Sequence, residues 1–403
     1  MTVVDVALLV TAIGFGFILF SPHLLNSRRW RATVTPLASI IGSGFLVAGP
    51  ILAHAAGNLA WFGMLALCGT AALFGSAIRH NIQHVEAELA DHPPAVVARL
   101  ERMSSIALSI AYFVSIAYYL NLFAAFGLRL ADITASVWVR AASSMVIGAL
   151  GAVGAFGGLR ALERLEVGAV GLKLAVIGGL FVALLLASAI DISHGKFEWG
   201  ALPHTHGTTE LRILLGLVIL VQGFETSRYL GEEYDRATRV RTMRWAQLIS
   251  TAIYLAFILL VTRYFGGDLP AQSGETAIID MLRPVGIAIG PMLILIALAS
   301  QLSAAVADMN GAGGLLSESS GGRISPNIGH LTAAVVAIGI TWAANIYEII
   351  AYASRAFVAY YALQSAQAML SAWGARQWRR AALFACAILL AVVIIVFAKA
   401  VEA

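Results

Sequence analysis

Polar residues come in short bursts along this chain, and the stretches between them are long, apolar and rich in Ala, Leu, Val and Ile. A helix that crosses hydrocarbon needs about 20 mostly apolar residues. Twelve such stretches occur, at roughly 4–22, 33–54, 59–78, 104–128, 135–157, 166–189, 210–231, 242–265, 284–317, 328–346, 348–372 and 381–400. Charge, Gly or Pro ends each of them. The apolar positions do not alternate with a period of two, so the pattern speaks against a membrane β-barrel. It predicts an all-α polytopic membrane protein with about twelve transmembrane helices. Connections are short except near 79–103, 190–209 and 266–283, and none is long and polar enough for a soluble domain. A single transmembrane domain over 1–403 is expected.

Composition agrees. Of 403 residues, 60% are apolar and 12% charged, against about 45–50% and about 25% in soluble chains. So few charges cannot cover a water-soluble fold of this size, which excludes a soluble enzyme, a nucleic-acid binder and a disordered scaffold. The lipid bilayer is the partner, and nucleic acid is not. The formal net charge of +4 reads as topology. With the loop after the first helix placed in the cytoplasm, seventeen of the 26 Lys and Arg lie inside and seven outside, while Lys173 and Arg355 fall within helices. Both termini are then expected on the outer, periplasmic side. Residues 1–5 carry no basic group and the positive cluster follows the first helix, the pattern of a reversed anchor rather than a cleaved signal. The excess of Arg over Lys and the high Ala content point to a bacterial inner membrane. Cys68 and Cys386 both lie in apolar stretches, so no disulfide framework is implied.

Two stretches contain interruptions. Backbone in hydrocarbon must satisfy its own hydrogen bonds, and irregular backbone survives there where it lines a cavity or binds something. One interruption is Ile41-Gly42-Ser43-Gly44-Phe45, followed by Gly49-Pro50. The other is Gln222-Gly223-Phe224-Glu225, where a carboxylate sits deep in an apolar run. A charge at such depth costs about 2.5–3.5 kcal/mol and normally faces a cavity or a partner. For the glycine pair, close helix packing is the alternative reading. Two broken helices in corresponding halves are the pattern of an inverted-repeat transporter with a midplane site. Residues 32–190 and 191–373 would form repeats of five helices each. Residues 1–31 would add one N-terminal helix with its basic loop, and 374–403 one C-terminal helix.

At these residues a resemblance becomes specific. TPLASIIGSGFLVAGP, from Thr35, resembles the first core helix of the amino acid–polyamine–organocation (APC) superfamily. Gly223-Phe224-Glu225, with Glu232-Glu233 and the basic run Arg236 to Arg244, resembles that family's sixth-helix signature and its cytoplasmic loop. GGLRALERLEVGAVGLKL, ending at Leu174, is similar to the entry into its fifth helix, and KFEWGALPHTHG to the external loop before helix six. The segment Gln301 to Pro326 is similar to helix eight and its exit. Order and spacing agree over most of 33–373, and the first helix lies outside the family's ten-helix core. Arg228 stands where the family more often has a small polar residue.

The resemblance implies a LeuT-like fold in which unwound parts of core helices one and six bind substrate. N–H groups freed at Ile41, Gly42, Ser43 and Gly44 suit a substrate carboxylate. Gln222, Gly223, Phe224 and Glu225 offer carbonyls and a carboxylate for an amino group. Tyr118 and Tyr119, with Asn121, either line the pocket or serve packing. Lys173 lies about a turn and a half inside its helix. Snorkelling to the interface is one reading. The other, which the resemblance supports, sets its ammonium in the place of a coupling sodium, because a desolvated lysine can release a proton during a transport cycle. Glu225 and Asp308 are further proton-coupling candidates, Asp308 as a partner for Lys173. Glu348 and Arg355, seven apart, would share a face as a gating or structural pair. His80, His84 and Glu88, and separately His194, His204 and His206, read as solvated loop residues, and no metal site is expected. No catalytic signature or phosphate-binding loop occurs, so neither an enzyme nor a cofactor is expected. The expected activity is secondary active transport, a proton-coupled symport of an amino acid or related amine. A transporter-fold sensor that binds without moving its ligand, and an inorganic-cation carrier, for example for potassium, are the alternatives.

Overall fold

The computed structural model describes residues 2–90, 93–156, 160–198, 207–231, 233–265 and 274–401, with the side chains of Ser43, Ala90 and 160–167 outside that description. Among these residues every regular element is helical. In chain order they are α1 (Val3–Leu19), α2 (Pro22–Leu25), α3 (Arg28–Ala56), α4 (Ala60–His80), α5 (Glu86–Ala90), α6 (Ala95–Leu128), α7 (Ser136–Phe156) and α8 (Arg160–Ser193). There follow α9 (Thr208–Leu215), α10 (Arg236–Val261), α11 (Ala277–Leu282), α12 (Ile289–Ser319), α13 (Pro326–Ala343), α14 (Ile346–Gly374) and α15 (Trp378–Phe397). Eleven of the predicted stretches each coincide with one of these helices. The stretch 210–231 is α9 followed by two 3₁₀ segments, Val218–Val221 and Phe224–Leu230. Among the described residues, seven helical runs are long and apolar enough to cross a membrane by length and composition, one of them spanning 28–89 and so holding both α3 and α4.

Polar caps move several helix starts well outside the apolar windows. Ser27 accepts from the Trp30 N–H and starts α3 at Arg28, while Asp235 accepts from the Thr238 N–H at 2.9 Å and starts α10 at Arg236. The Thr238 hydroxyl and amide also hold the exposed Asp235 carboxyl below the usual carboxylate range. Residues 79–90, read from the sequence as loop, are helical: α4 runs to His80, a π-turn covers Asn81–Val85, and α5 follows.

The centre of the molecule is α6, which packs against α12, α14, α7 and α13, while α3 packs against α10, α12 and the two 3₁₀ segments. Asn121 of α6 donates to Thr341 of α13 at 2.9 Å, tying two scaffold helices together. The added helix α1 lies along α8. Small residues allow that approach, since a Cβ on Gly179 would stand 2.6 Å from the Leu8 carbonyl oxygen. Asp5, buried at the start of α1, accepts from the Ala288 N–H at 2.9 Å and ties α1 to the start of α12 as well.

Candidate functional site

The expected break in core helix six is present. After α9 stops at Leu215 the backbone turns, passes through Val218–Val221, extends at Gln222 and takes φ +115° at Gly223. Each opened main-chain group needs a partner in a water-poor interior, and side chains provide several. The Ser354 hydroxyl donates to the Gly216 carbonyl at 2.6 Å and accepts from the Ile219 N–H at 3.0 Å. The Tyr254 hydroxyl reaches the Leu220 carbonyl at 2.5 Å and the Ile40 carbonyl of α3 at 2.9 Å, so one phenol spans both elements. The Gly223 N–H donates to Glu225 Oε2 at 3.0 Å, and its carbonyl accepts from the Thr226 hydroxyl at 2.8 Å.

The expected break in core helix one is absent. Residues Ile41 to Gly44 sit inside the continuous helix α3, so their N–H groups are spent within it. The side chain of Ser43 lies outside the described residues. The two glycines serve close packing instead: a Cβ on Gly44 would stand 2.5 Å from Leu220 Cδ2 and 2.7 Å from its Cα. A Cβ on Gly223 would stand 2.5 Å from the Ser39 hydroxyl oxygen. The broken segment thus lies directly on α3, and the two touch rather than enclose a hollow at these points.

Around this contact the remaining candidates gather unevenly. Glu225 is 1% exposed, and its Oε2 accepts from the Tyr361 hydroxyl at 2.8 Å. Phe224 stacks on the Tyr361 ring, with centroids 5.0 Å apart. Gln222 donates to the Tyr119 hydroxyl at 2.8 Å, and Tyr118 lies against Tyr119 with centroids 5.2 Å apart, both rings fully buried. Lys173 is 0% exposed, so it does not snorkel; Nζ donates to the Ala38 carbonyl of α3 at 3.1 Å. A Cβ on Gly42 would lie 3.4 Å from that Nζ and 3.6 Å from Ala304 of α12, which places the ammonium at the meeting of α3, α8 and α12. Gln301 of α12 donates to the Gly42 carbonyl at 3.2 Å in the same place. Asp308 is buried on α12 and accepts from the Ser115 hydroxyl of α6.

Glu348 and Arg355 are engaged elsewhere than with each other. Glu348 is the third residue of a capping box, accepting from the Asn345 N–H at 2.8 Å. Arg355 donates to the Ala398 carbonyl beyond α15. Both therefore act in helix termination and helix docking, because the Asn345 cap claims the carboxylate before a residue two turns away can. His80 is buried rather than solvated, with Nε2 3.3 Å from the Ser371 hydroxyl and its ring 4.6 Å from His84. Of the outer histidines, His204 and His206 lie outside the described residues, as does Glu232.

A polar layer closes the arginine-rich end below the break. Arg228, 8% exposed, pairs with Glu101 at 2.8 Å and also donates to Gln364. Gln364 donates to Ser104 at 2.9 Å and accepts from Asn81 at 2.8 Å. Arg239 binds Glu86 through two nitrogens, at 3.0 and 2.6 Å, and donates to the Arg228 carbonyl at 2.8 Å. Sequence reasoning passed over Gln364, Ser354 and Tyr254; the available signal was a polar group inside an apolar helix.

Comparison with known proteins fits this geometry. A family model described as APC superfamily transporter matches residues 22–398, which leaves α1 outside it. An uncharacterized protein of Aquifex aeolicus (strain VF5) is 37% identical over 406 residues, covering 100% of this chain and 98% of its own. Among solved structures, a Na⁺-coupled sialic acid symporter in a substrate-bound outward-open state has a TM-score of 0.56 at 13% identity, over 99% of this chain and 97% of that one. Mhp1, a nucleobase-cation-symport-1 family transporter in a closed conformation with bromovinylhydantoin bound, has a TM-score of 0.50 at 14% identity, over 90% of each chain. These two share a LeuT-like fold with the chain. It is a multi-pass membrane transporter rather than an enzyme, and it belongs to the APC superfamily.

Proposed function

We propose that the protein moves an amino acid or related amine by alternating access, with the proton as coupling ion. The single observation that carries this reading is the interrupted helix at 216–223, set against α3 and followed at once by the buried carboxylate of Glu225. A buried carboxylate beside opened backbone is a receptor for an ammonium group.

Coupling is assigned to Lys173. Its amine, fully buried and donating to a carbonyl of α3, sits at the meeting of three core helices. A neighbour in fold, the sialic acid symporter, is Na⁺-coupled, which supports reading this core as ion-coupled too. In the present chain a lysine able to lose and regain a proton takes that part, with Asp308 and Glu225 as the buried acidic groups of the core. The contacts of Gly44 with Leu220 and of Gly223 with Ser39 then separate when substrate enters, and the helices 32–190 and 191–373 work as two repeats. The arginine-rich layer faces the cytoplasm of a bacterial cell in this reading, and both termini lie outside.

Uptake into proteoliposomes by the Lys173→Ala variant tests the assignment. The variant elutes as a folded species and shows no uptake driven by an imposed pH gradient. Uptake at the wild-type rate contradicts the role given to Lys173.

A further inference from the structure

Four arginines of this chain meet a carboxylate: Arg129 meets Asp280, Arg228 meets Glu101, Arg239 meets Glu86 and Arg263 meets Asp191. A half-buried Arg79 and the exposed Arg244 and Arg380 form a cluster that does not. Where the arginine-rich ends of α4, α10 and α15 converge there is a cavity of about 170 Å³ whose charged lining is Arg79, Arg244, Arg380, His80 and His84. No Asp or Glu lines it. Arg79 donates to Gln247 and to the Ala72 carbonyl, and Arg380 to Gln377, all neutral acceptors. Among the described residues no hydrogen bond or ion pair engages Arg244.

Three guanidinium groups held together without a counter-charge repel one another, and the low dielectric at a helix–lipid boundary strengthens that repulsion. We propose that this cavity is a binding site for a phosphate-bearing anion. Its volume is below the range of about 300–1,000 Å³ typical of drug-sized ligands and suits a single compact anionic group. Guanidinium forks match phosphate oxygens in geometry as well as charge. The remaining wall is Ser76 and Gln83 with the apolar Val240, Leu383 and Phe384, so an apolar side adjoins the charged floor. Trp245, Trp378 and Leu383 are 56%, 54% and 45% exposed at the same level, as side chains at a membrane interface are. That combination favours an anionic phospholipid headgroup, with its acyl chains over the apolar wall, above free phosphate. Bound there, the headgroup reduces the net charge of the cluster and ties α15 to α4 and α10.

The test measures the unfolding midpoint of the delipidated full chain in neutral detergent against phosphatidylglycerol, phosphatidylcholine and inorganic phosphate. Phosphatidylglycerol raises the midpoint saturably and phosphatidylcholine does not. The Arg244→Gln/Arg380→Gln variant needs at least about tenfold more phosphatidylglycerol for the same shift, since each lost charge contact is worth roughly a fivefold to tenfold change in affinity. Arg241→Gln, an exposed residue of the same helix outside the cavity, behaves as wild type. If the double variant does not fold, Arg244→Gln alone carries the comparison, because among the described residues no hydrogen bond or ion pair holds that exposed side chain. A shift given equally by inorganic phosphate, lost in the same variant, supports the site with a soluble anion as its occupant. No shift with either ligand overturns the proposal. So does a phosphatidylglycerol shift that survives in the double variant or falls equally in Arg241→Gln.

Discussion

Gly223 lies so close to Ser39 that a Cβ on the glycine would stand 2.5 Å from the serine hydroxyl oxygen, and its φ of +115° is one that side-chain-bearing residues rarely adopt. The break in the second repeat and its contact with α3 therefore depend on one missing side chain. Gly223→Ala adds both backbone strain and overpacking, each costing about 1–3 kcal/mol. The expected outcome is a lower unfolding midpoint in detergent together with lost transport. A variant of wild-type stability contradicts the close contact.

Tyr361 and Glu225 form a second pair that can be tested separately. Hydrogen bonds to charged groups contribute about 1.5–3 kcal/mol, so Tyr361→Phe should lower stability by about 2 kcal/mol. In a Glu225→Gln background the same substitution should cost less than half as much, because the ionic acceptor has gone. Strictly additive losses in the double-mutant cycle contradict the 2.8 Å contact as an energetic link.

The broken helix six, and not helix one, was legible in the sequence, for a physical reason. At Gln222 to Glu225 a glycine and a carboxylate coincide, and a buried charge demands a special backbone or partner. At Gly42 to Gly44 the glycines look the same whether they open a helix or admit a neighbour. What decides is Leu220, some 180 residues away in sequence and in van der Waals contact in space. The helices themselves were plain because apolar length is a local property. Their starts at Arg28 and Arg236 were missed because Ser27 and Asp235 caps extend them beyond the apolar run. Glu348 shows the converse error: Asn345 three residues earlier is a capping signal readable in sequence, and it outweighs the seven-residue spacing to Arg355.

The layer around Arg228 was not readable at all, since Glu101, Arg228 and Gln364 come from three distant parts of the chain. Removing one partner of a largely buried ion pair is costly, and here it should loosen one end of the transporter. In a background of Cys68→Ser and Cys386→Ser, a Ser104→Cys reporter lies 1% exposed beneath the pair. Arg228→Gln should raise its labelling by a water-soluble maleimide about tenfold, the equivalent of a loss of about 1.4 kcal/mol in closure. An unchanged labelling rate contradicts a sealing role for Arg228 and Glu101.

The most direct measurement is flux itself. Purified protein in proteoliposomes is offered a panel of labelled amino acids, amines and monovalent inorganic cations, with and without an inwardly directed proton gradient. The account predicts that at least one amino acid or amine accumulates, and that the proton gradient increases its accumulation. Folded protein that moves no member of the panel, or moves only an inorganic cation, contradicts it.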